Sequence, residues 1–243
     1  MTEDIYQIFY SPETKAICFP EFFTLYNNTD KLTPDFENGV IRALYDAGAL
    51  DKSEYFGVLS PIYYKKSKIA PAKIAEALTA KPDIVILQYG MGHPIRSGEK
   101  LHDGNHNGNF RRIIQAVLNA AKIRFSVDSQ FSDNSLVWSN YIIAKSAIYK
   151  RYIEEFLLPC YAVMNSGQHF IKLPRERNQP IRAVLDRDAR YSMRKNSDKT
   201  QFIEKQLGRK TWPLDAFILE RLWPIFLEMN AVKEGWQVNR VKP

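Results

Sequence analysis

The chain has 243 residues, 45% of them hydrophobic and 13% aromatic, and its 34 Lys and Arg residues against 27 Asp and Glu residues give a net charge of +7. This composition excludes a disordered chain and suits one domain with a substantial core. Cys18 and Cys160 have no zinc or redox spacing, no apolar run reaches the roughly 20 residues of a membrane span, and no signal-peptide pattern is visible, so we expect a soluble cytoplasmic protein with reduced thiols.

Short apolar strands alternate with amphipathic helices in the first half of the chain. Strands are predicted at residues 5–10, 55–60 and 83–89, and the last is a continuous apolar run typical of a strand buried on both faces. Helices are predicted at residues 36–50 and 71–80, and the second begins with a proline, which suits a first helical turn.

The second half continues the alternation. A helix over residues 110–123 is followed by a strand over 140–144 and by a helix over 146–158 that Ser146 can cap. A final helix covers residues 214–230, where Pro224 should kink or interrupt it. The whole pattern predicts an α/β fold with a largely parallel sheet, whose ligand site lies at the carboxyl ends of the strands.

A long loop rich in glycine and histidine, over residues 90–109, follows the third predicted strand. His102 and His106 could share a metal from one helical face, but Gly104 between them disfavours a helix. We therefore favour a polar loop that contacts sugar or phosphate over a metal site. The third alternative is an exposed loop without a role.

Positive charge is concentrated in a basic segment, residues 171–210, which holds twelve basic and five acidic residues while the rest of the chain is balanced. Arginine predominates there, and its guanidinium group suits phosphate oxygens. Three interpretations stay open: contact with phosphates of a nucleotide or lipid, contact with nucleic acid, or a solvated surface. Nucleic-acid binding would depend on Tyr191, Phe202 and Trp212, which are sparse for stacking, so no nucleic acid is expected.

Glu220 and Arg221 stand among apolar residues of the last predicted helix, where unpaired charge would be costly. Either the two residues belong to a structural salt bridge, for which the basic segment offers partners, or Glu220 is a general base beside an arginine that meets phosphate. The chain has no Walker loop, G-x-G-x-x-G, G-x-S-x-G or H-E-x-x-H motif, which excludes the best-marked ATPases, dehydrogenases, serine hydrolases and zinc proteases.

Three segments in order along residues 4–230 carry a resemblance to a known family. They are residues 55–60 followed by Tyr63-Tyr64-Lys65-Lys66, residues 139–145 (SNYIIAK), and residues 214–227 with the sequence FILERL. They are similar to the aromatic–glycine strand, the asparagine–tyrosine segment and the closing Glu-Arg-Leu helix of bacterial capsular and O-antigen glycosyltransferases with the GT-A fold.

This resemblance implies an enzyme that moves a sugar from a nucleotide-sugar to a capsule, O-antigen or lipopolysaccharide acceptor, often lipid-linked, at the cytoplasmic face of the inner membrane. Residues 1–170 would form the nucleotide-sugar-binding core, and residues 171–243 would complete the same domain. Glu220 would be the catalytic base and Arg221 its partner, with Asn140 and Tyr141 lining the pocket. The donor and its phosphates would contact Tyr10, Ser11, Ser60, Lys65, Lys66, Tyr89, His102 and His106.

One departure from the family concerns the metal. GT-A enzymes commonly hold Mn²⁺ or Mg²⁺ through Asp-x-Asp at the end of a central strand, but that place reads Gln88-Tyr89-Gly90 here. The literal Asp186-Arg187-Asp188 lies in the basic segment and is a poor metal clamp. Either transfer is metal-independent, with Lys, Arg and His neutralising the diphosphate, or the catalytic assignment is wrong. The remaining alternative is an inactive transferase-like scaffold.

Overall fold

A six-stranded mixed sheet organises the fold. The computed structural model describes residues 5–26, 37–87, 109–137, 139–187 and 214–243. The sheet has the strand order β2-β1-β3-β5-β4-β8, and every neighbouring pair is parallel except the two that involve β5. Its strands are β1 (Ile5–Phe9), β2 (Phe23–Tyr26), β3 (Tyr55–Leu59), β4 (Ile84–Leu87), β5 (Ile142–Lys145) and β8 (Val238–Val241), while β6 (Phe170–Ile171) and β7 (Gln179–Pro180) pair separately.

Helices cover both faces of the sheet. They are α1 (Pro12–Lys15), α2 (Glu37–Asp46), α3 (Tyr63–Ser67), α4 (Pro71–Thr79), α5 (Phe110–Ala120), α6 (Ser146–Tyr152), α7 (Leu158–Asn165), α8 (Ile181–Arg187), α9 (Leu214–Glu220) and α10 (Leu222–Asn230). A 3₁₀ turn (Ala49–Asp51) precedes β3, and a π-helical turn (Ile153–Leu157) joins α6 to α7.

Alternate residues of the central strands enter two apolar clusters. Val58, Ile86 and Ile142 belong to the larger cluster, which α2 and α5–α10 complete. Leu59 and Ile143 belong to the smaller cluster on the other face, with α3 and α4. Because side chains alternate across a strand, central strands with both faces covered must be apolar throughout. The α/β fold with a mostly parallel sheet predicted from the sequence is therefore confirmed.

The predicted cap at Ser146 is wrong. Strand β5 runs directly into α6, so that Lys145 occupies the N-cap position and Ser146 is already the first helical residue. The Ser146 hydroxyl is buried and has no hydrogen-bond partner within the described chain. Lys145 instead pairs its ammonium with Asp83 at 2.8 Å, at the amino end of β4.

The last predicted helix is interrupted at Arg221, which separates α9 from α10. Pro224 has no N–H to donate to the carbonyl of Glu220, and its ring crowds that carbonyl, so a continuous helix is excluded there. The backbone N–H of Arg221 donates to the Ile218 carbonyl at 3.0 Å, the tighter bond expected at a helix end. The predicted interruption is thus confirmed, and it falls at the Glu220–Arg221 pair.

No helix within the described ranges is long and apolar enough to cross a bilayer.

Candidate functional site

The reversed direction of β5 brings its first residues to the carboxyl ends of β3 and β4. Ser60 follows β3 and Tyr141 precedes β5, and their hydroxyl groups share a buried hydrogen bond of 2.9 Å. The Tyr141 carbonyl also accepts a hydrogen bond from the Leu87 N–H, at the end of β4, at 3.0 Å. Two predicted site residues 81 positions apart in sequence are therefore in direct contact.

A topological switch point lies between β1 and β3, because the chain leaves β1 to form β2 on one side and returns to form β3 on the other. Ligands in open α/β sheets bind beside such a point, at the carboxyl ends of the strands. The fully buried Gln7 ties its loops together: the side-chain amide donates to the Pro61 carbonyl at 3.2 Å and accepts from the Phe19 N–H at 2.8 Å. The sequence analysis missed Gln7, although a glutamine inside an apolar strand was a visible signal.

Ser11 begins a short helix. Its hydroxyl accepts a hydrogen bond from the Thr14 N–H at 3.2 Å, and the Thr14 hydroxyl accepts one from the Ser11 N–H at 2.9 Å. This reciprocal capping box explains the serine without a ligand. The predicted contact of Ser11 with a donor stays a prediction.

Tyr10 and two carboxylates share one electrostatic environment. Burial raises the pKa of the Tyr10 phenol, and the charge of Glu37 raises it further. Burial also raises the pKa of Glu37 and of Glu220. The charge of Glu37 raises the Glu220 pKa further. The charge of Lys66 lowers the pKa of both carboxyl groups. Glu37, Glu220 and Lys66 therefore lie within electrostatic reach of one another.

The sequence analysis did not single out Glu37. An acidic residue in the first turn of a helix is common, because it complements the helix dipole, so nothing in the local pattern marked it.

Arg221 is buried, with 4% of its side chain exposed, whereas 24% of the Glu220 side chain is exposed. The Arg221 Nη1 lies 3.7 Å from Glu220 Oε2, and its charge lowers the Glu220 pKa against the larger effect of burial. Glu220 is thus a partly desolvated carboxylate that keeps access to solvent, and a buried cation limits its protonation. The ion pair that the structure describes for Glu220 is with its own neighbour, and a salt bridge between Glu220 and residues 188–210 of the basic segment stays a prediction, because they lie outside the described residues.

Lysines on α3 supply positive charge at the same edge. The Lys66 ammonium lies 5.7 Å from the centroid of the Tyr141 ring, in the range of a cation–π contact. Lys65 is exposed on the same short helix. Lys66 therefore links the Ser60–Tyr141 pair to the two carboxylates.

Asn140 precedes Tyr141 and is buried, with 3% of its surface exposed. Neither its Oδ1 nor its Nδ2 has a hydrogen-bond partner in the part of the chain that the structure describes. The other three predicted donor-binding residues, Tyr89, His102 and His106, lie outside the described residues.

Two of the four described arginines of the basic segment, Arg182 and Arg187, make intramolecular ion pairs. Arg182 on α8 donates to both carboxylate oxygens of the buried Asp215, one of them at 3.1 Å, and pairs with Asp186 at 2.8 Å. Arg187 pairs with Glu176 at 3.0 Å. The buried acid that meets this segment is therefore Asp215, which the sequence analysis overlooked.

Among the described residues, no group of three or more His, Cys, Asp or Glu side chains is arranged to hold a metal ion. A surface hollow of about 360 Å³ lies at the opposite edge of the sheet, beside the amino end of β3. Its charged groups Lys150 and Asp51 already pair with each other at 3.2 Å. The candidate site is thus the cluster at the carboxyl ends of β1 and β3 and the start of β5.

Comparison with models of protein families, with curated proteins and with solved structures finds no match to this chain.

Stability should fall as pH rises through the native pKa values of Glu37 and Glu220. Both pKa values are raised above 4.5, so that at intermediate pH the native state keeps protons that the unfolded state has lost. Their contribution is complete below about pH 4.5 and is lost as the carboxyl groups ionise in the folded protein. Urea unfolding of wild type and of the Glu37→Gln/Glu220→Gln double variant, from pH 5 to 8, measures this difference.

The double variant should gain stability relative to wild type as pH rises. The exposed Glu76→Gln on α4 serves as the control and should leave the pH profile unchanged. A constant difference between wild type and double variant across this range would contradict the expectation.

Proposed function

We propose that the protein is a glycosyltransferase that moves a sugar from a nucleotide-sugar to a hydroxyl group of a cell-surface glycan, with a GT-A-like fold. The observation that carries the proposal is the partly desolvated Glu220, beside the buried Arg221 and within reach of Lys66. A mixed sheet with a single reversed strand and with helices on both faces supports it.

Each charged side chain has one role in the proposed reaction. Glu220 accepts the proton of the acceptor hydroxyl, whose oxygen bonds to the sugar C1 while the bond from C1 to the diphosphate breaks. The nucleoside diphosphate leaves with that electron pair. A general base works best when its pKa lies near the working pH, and burial moves the Glu220 pKa in that direction. Lys66 and Arg221 provide positive charge for the leaving diphosphate.

Uncharged side chains would bind the nucleotide-sugar donor. Tyr10 and the Ser60–Tyr141 pair form part of the wall of the proposed donor site at the switch point. A lipid-linked acceptor would bring the protein to the cytoplasmic surface of the inner membrane, where anionic lipids attract basic segments.

The rival proposal of a nucleic-acid-binding module receives less support. Arg182 and Arg187 are committed to Asp215, Asp186 and Glu176, so two guanidinium groups of the basic segment already have carboxylate partners. Nucleic-acid binding through this segment would weaken steeply with salt.

Nucleoside diphosphates and their sugar conjugates should raise the melting temperature of the protein. A ligand at 100 times its Kd stabilises the native state by about 2.7 kcal/mol, which is an increase in Tm of about 5 to 10 °C for a chain of this size. Differential scanning fluorimetry with UDP, GDP and ADP, alone and as sugar conjugates, with and without Mn²⁺, measures the shift. The comparison with and without Mn²⁺ shows whether a divalent cation contributes to nucleotide binding.

Lys66→Gln should reduce this shift, because it removes a cation from the proposed diphosphate site. Lys73→Gln is the matched control, since Lys73 lies on α4 and donates to the Lys242 carbonyl at 3.4 Å. The proposal fails if no nucleotide or nucleotide-sugar changes the Tm of the wild-type protein.

A further inference from the structure

Asn140 is a buried amide for which the described residues provide no hydrogen-bond partner. Its side chain offers two N–H donors and one carbonyl acceptor, and neither the nitrogen nor the oxygen is satisfied by the described chain. Buried polar groups are nearly always hydrogen-bonded, because an unpaired group loses its bonds to water without replacement. Asn140 therefore lowers the stability of the unliganded protein.

The segment around Asn140 is nevertheless held firmly. Its carbonyl accepts the Ile142 N–H at 2.9 Å, and the next residue, Tyr141, is anchored to Ser60 and to the end of β4. Ser139 adopts a left-handed backbone conformation with φ of 55°, which non-glycine residues seldom occupy. A strained residue and an unsatisfied one thus stand side by side at the carboxyl edge of the sheet, and such features cluster at functional sites.

Three other residues with unsatisfied polar atoms differ from this amide. The hydroxyl groups of Tyr149 and Tyr152 stand among packed aromatic rings, where Tyr152 stacks on Trp223 at 3.8 Å. Asn38 leaves only its Oδ1 unpaired. Asn140 combines an unpaired acceptor with an unpaired donor, next to residues of the candidate site.

We propose that Asn140 binds the ligand directly, through a pair of hydrogen bonds to an uncharged group in which a donor stands beside an acceptor. The inference rests on the proposed function and specifies it, because a nucleotide-sugar has three such groups: the edge of the nucleobase, the hydroxyls of the ribose and the hydroxyls of the transferred sugar. A neutral amide suits these groups, whereas Lys66 and Arg221 suit the phosphates.

Replacing Asn140 by leucine should stabilise the unliganded protein, because it removes the unpaired groups and nearly keeps the shape of the side chain. The expected change is an increase in Tm of about 2 to 4 °C. Asn230→Leu is the matched control: Asn230 is also buried, but its amide donates to the Phe226 carbonyl at 2.9 Å, so this change should lower the Tm.

The same Asn140→Leu variant should bind nucleotide-sugars about 10 to 100 times more weakly, the loss expected for two hydrogen bonds. Isothermal titration with UDP, GDP and ADP and with their sugar conjugates measures it. A loss that is equal for a nucleotide and its conjugate assigns Asn140 to the nucleoside, that is, to the nucleobase or the ribose. A loss confined to the conjugate assigns it to the transferred sugar. Asn140→Ala provides the same comparison if leucine prevents folding.

Two results would overturn the inference. One is unchanged affinity of both variants for a ligand that the wild type binds. The other is a lower Tm for Asn140→Leu, as in the Asn230→Leu control, which would show that the amide is satisfied in solution. If no nucleotide binds the wild type, the proposed function fails, whereas the Tm of the unliganded variant still shows whether the Asn140 amide is unsatisfied in the folded protein.

Discussion

Replacing Glu220 by glutamine should lower the kcat of sugar transfer by at least about 100-fold while the protein stays folded. A positioned general base contributes about 10²- to 10⁴-fold to the rate, and glutamine keeps the shape of the side chain but cannot accept the proton. Folding should survive, because the burial that raises the Glu220 pKa disfavours its charged form and a neutral amide relieves that cost. The rate is measured as release of nucleoside diphosphate from the conjugate that shifts the Tm most.

Two further variants make the result specific. Glu76→Gln, on the exposed side of α4, should keep the wild-type kcat. Glu37→Gln tests the second carboxylate, because Glu37 shares the electrostatic environment of Glu220. If Glu220→Gln retains turnover and Glu37→Gln loses it, the base has been assigned to the wrong carboxylate. Nucleotide binding by Glu220→Gln should persist, which separates loss of chemistry from loss of the donor site.

Replacing Asp215 by alanine should lower the free energy of unfolding by about 3 kcal/mol. Breaking a buried ion pair from one side costs about 3 to 5 kcal/mol, and the lower end applies because Arg182 keeps Asp186 as a second partner. Only 5% of the Asp215 side chain is exposed, against 23% for Arg182. Equilibrium urea denaturation measures the loss.

The control for Asp215→Ala is an exposed pair of the same kind. Lys150 and Asp51 are 3.2 Å apart with 41% and 66% of their side chains exposed, so Asp51→Ala should cost less than about 1 kcal/mol. The double variant Arg182→Met/Asp215→Leu should recover most of the stability that Asp215→Ala loses, because it removes both buried charges. Equal losses of unfolding free energy for Asp215→Ala and Asp51→Ala would contradict a stabilising buried ion pair between α8 and α9.

The sequence pattern was sufficient to predict structural elements wherever burial and local stereochemistry favour the same structure. Strands β3 and β4 were predictable because a strand covered on both faces is apolar throughout, and β1 was predictable although it holds the buried Gln7 in an otherwise apolar run. The interruption near Glu220 was predictable because a proline acts on the carbonyl four residues before it. The carboxyl ends of β1 and β3 were predictable as neighbours because parallel strands end at one edge of a sheet.

Edge strands were not predictable in this way. β8, with the sequence VNRV, is partly exposed throughout, whereas β4, which is equally short, is apolar and buried along its whole length. Such short, half-polar runs become strands because a neighbouring strand offers free hydrogen-bonding groups, as β4 does for β8.

The candidate site depended most on contacts between distant parts of the chain. The strand over residues 140–144 was expected, but only pairing with β3 and β4 showed that it is reversed and brings Asn140 and Tyr141 to the edge where Ser60 lies. The charge of Asp215 is compensated by Arg182, 33 residues away. Residue types and their periodicity determine which segments are buried. The direction of a strand and the partners of a buried charge depend instead on long-range packing, because the residues that contact them are distant in sequence.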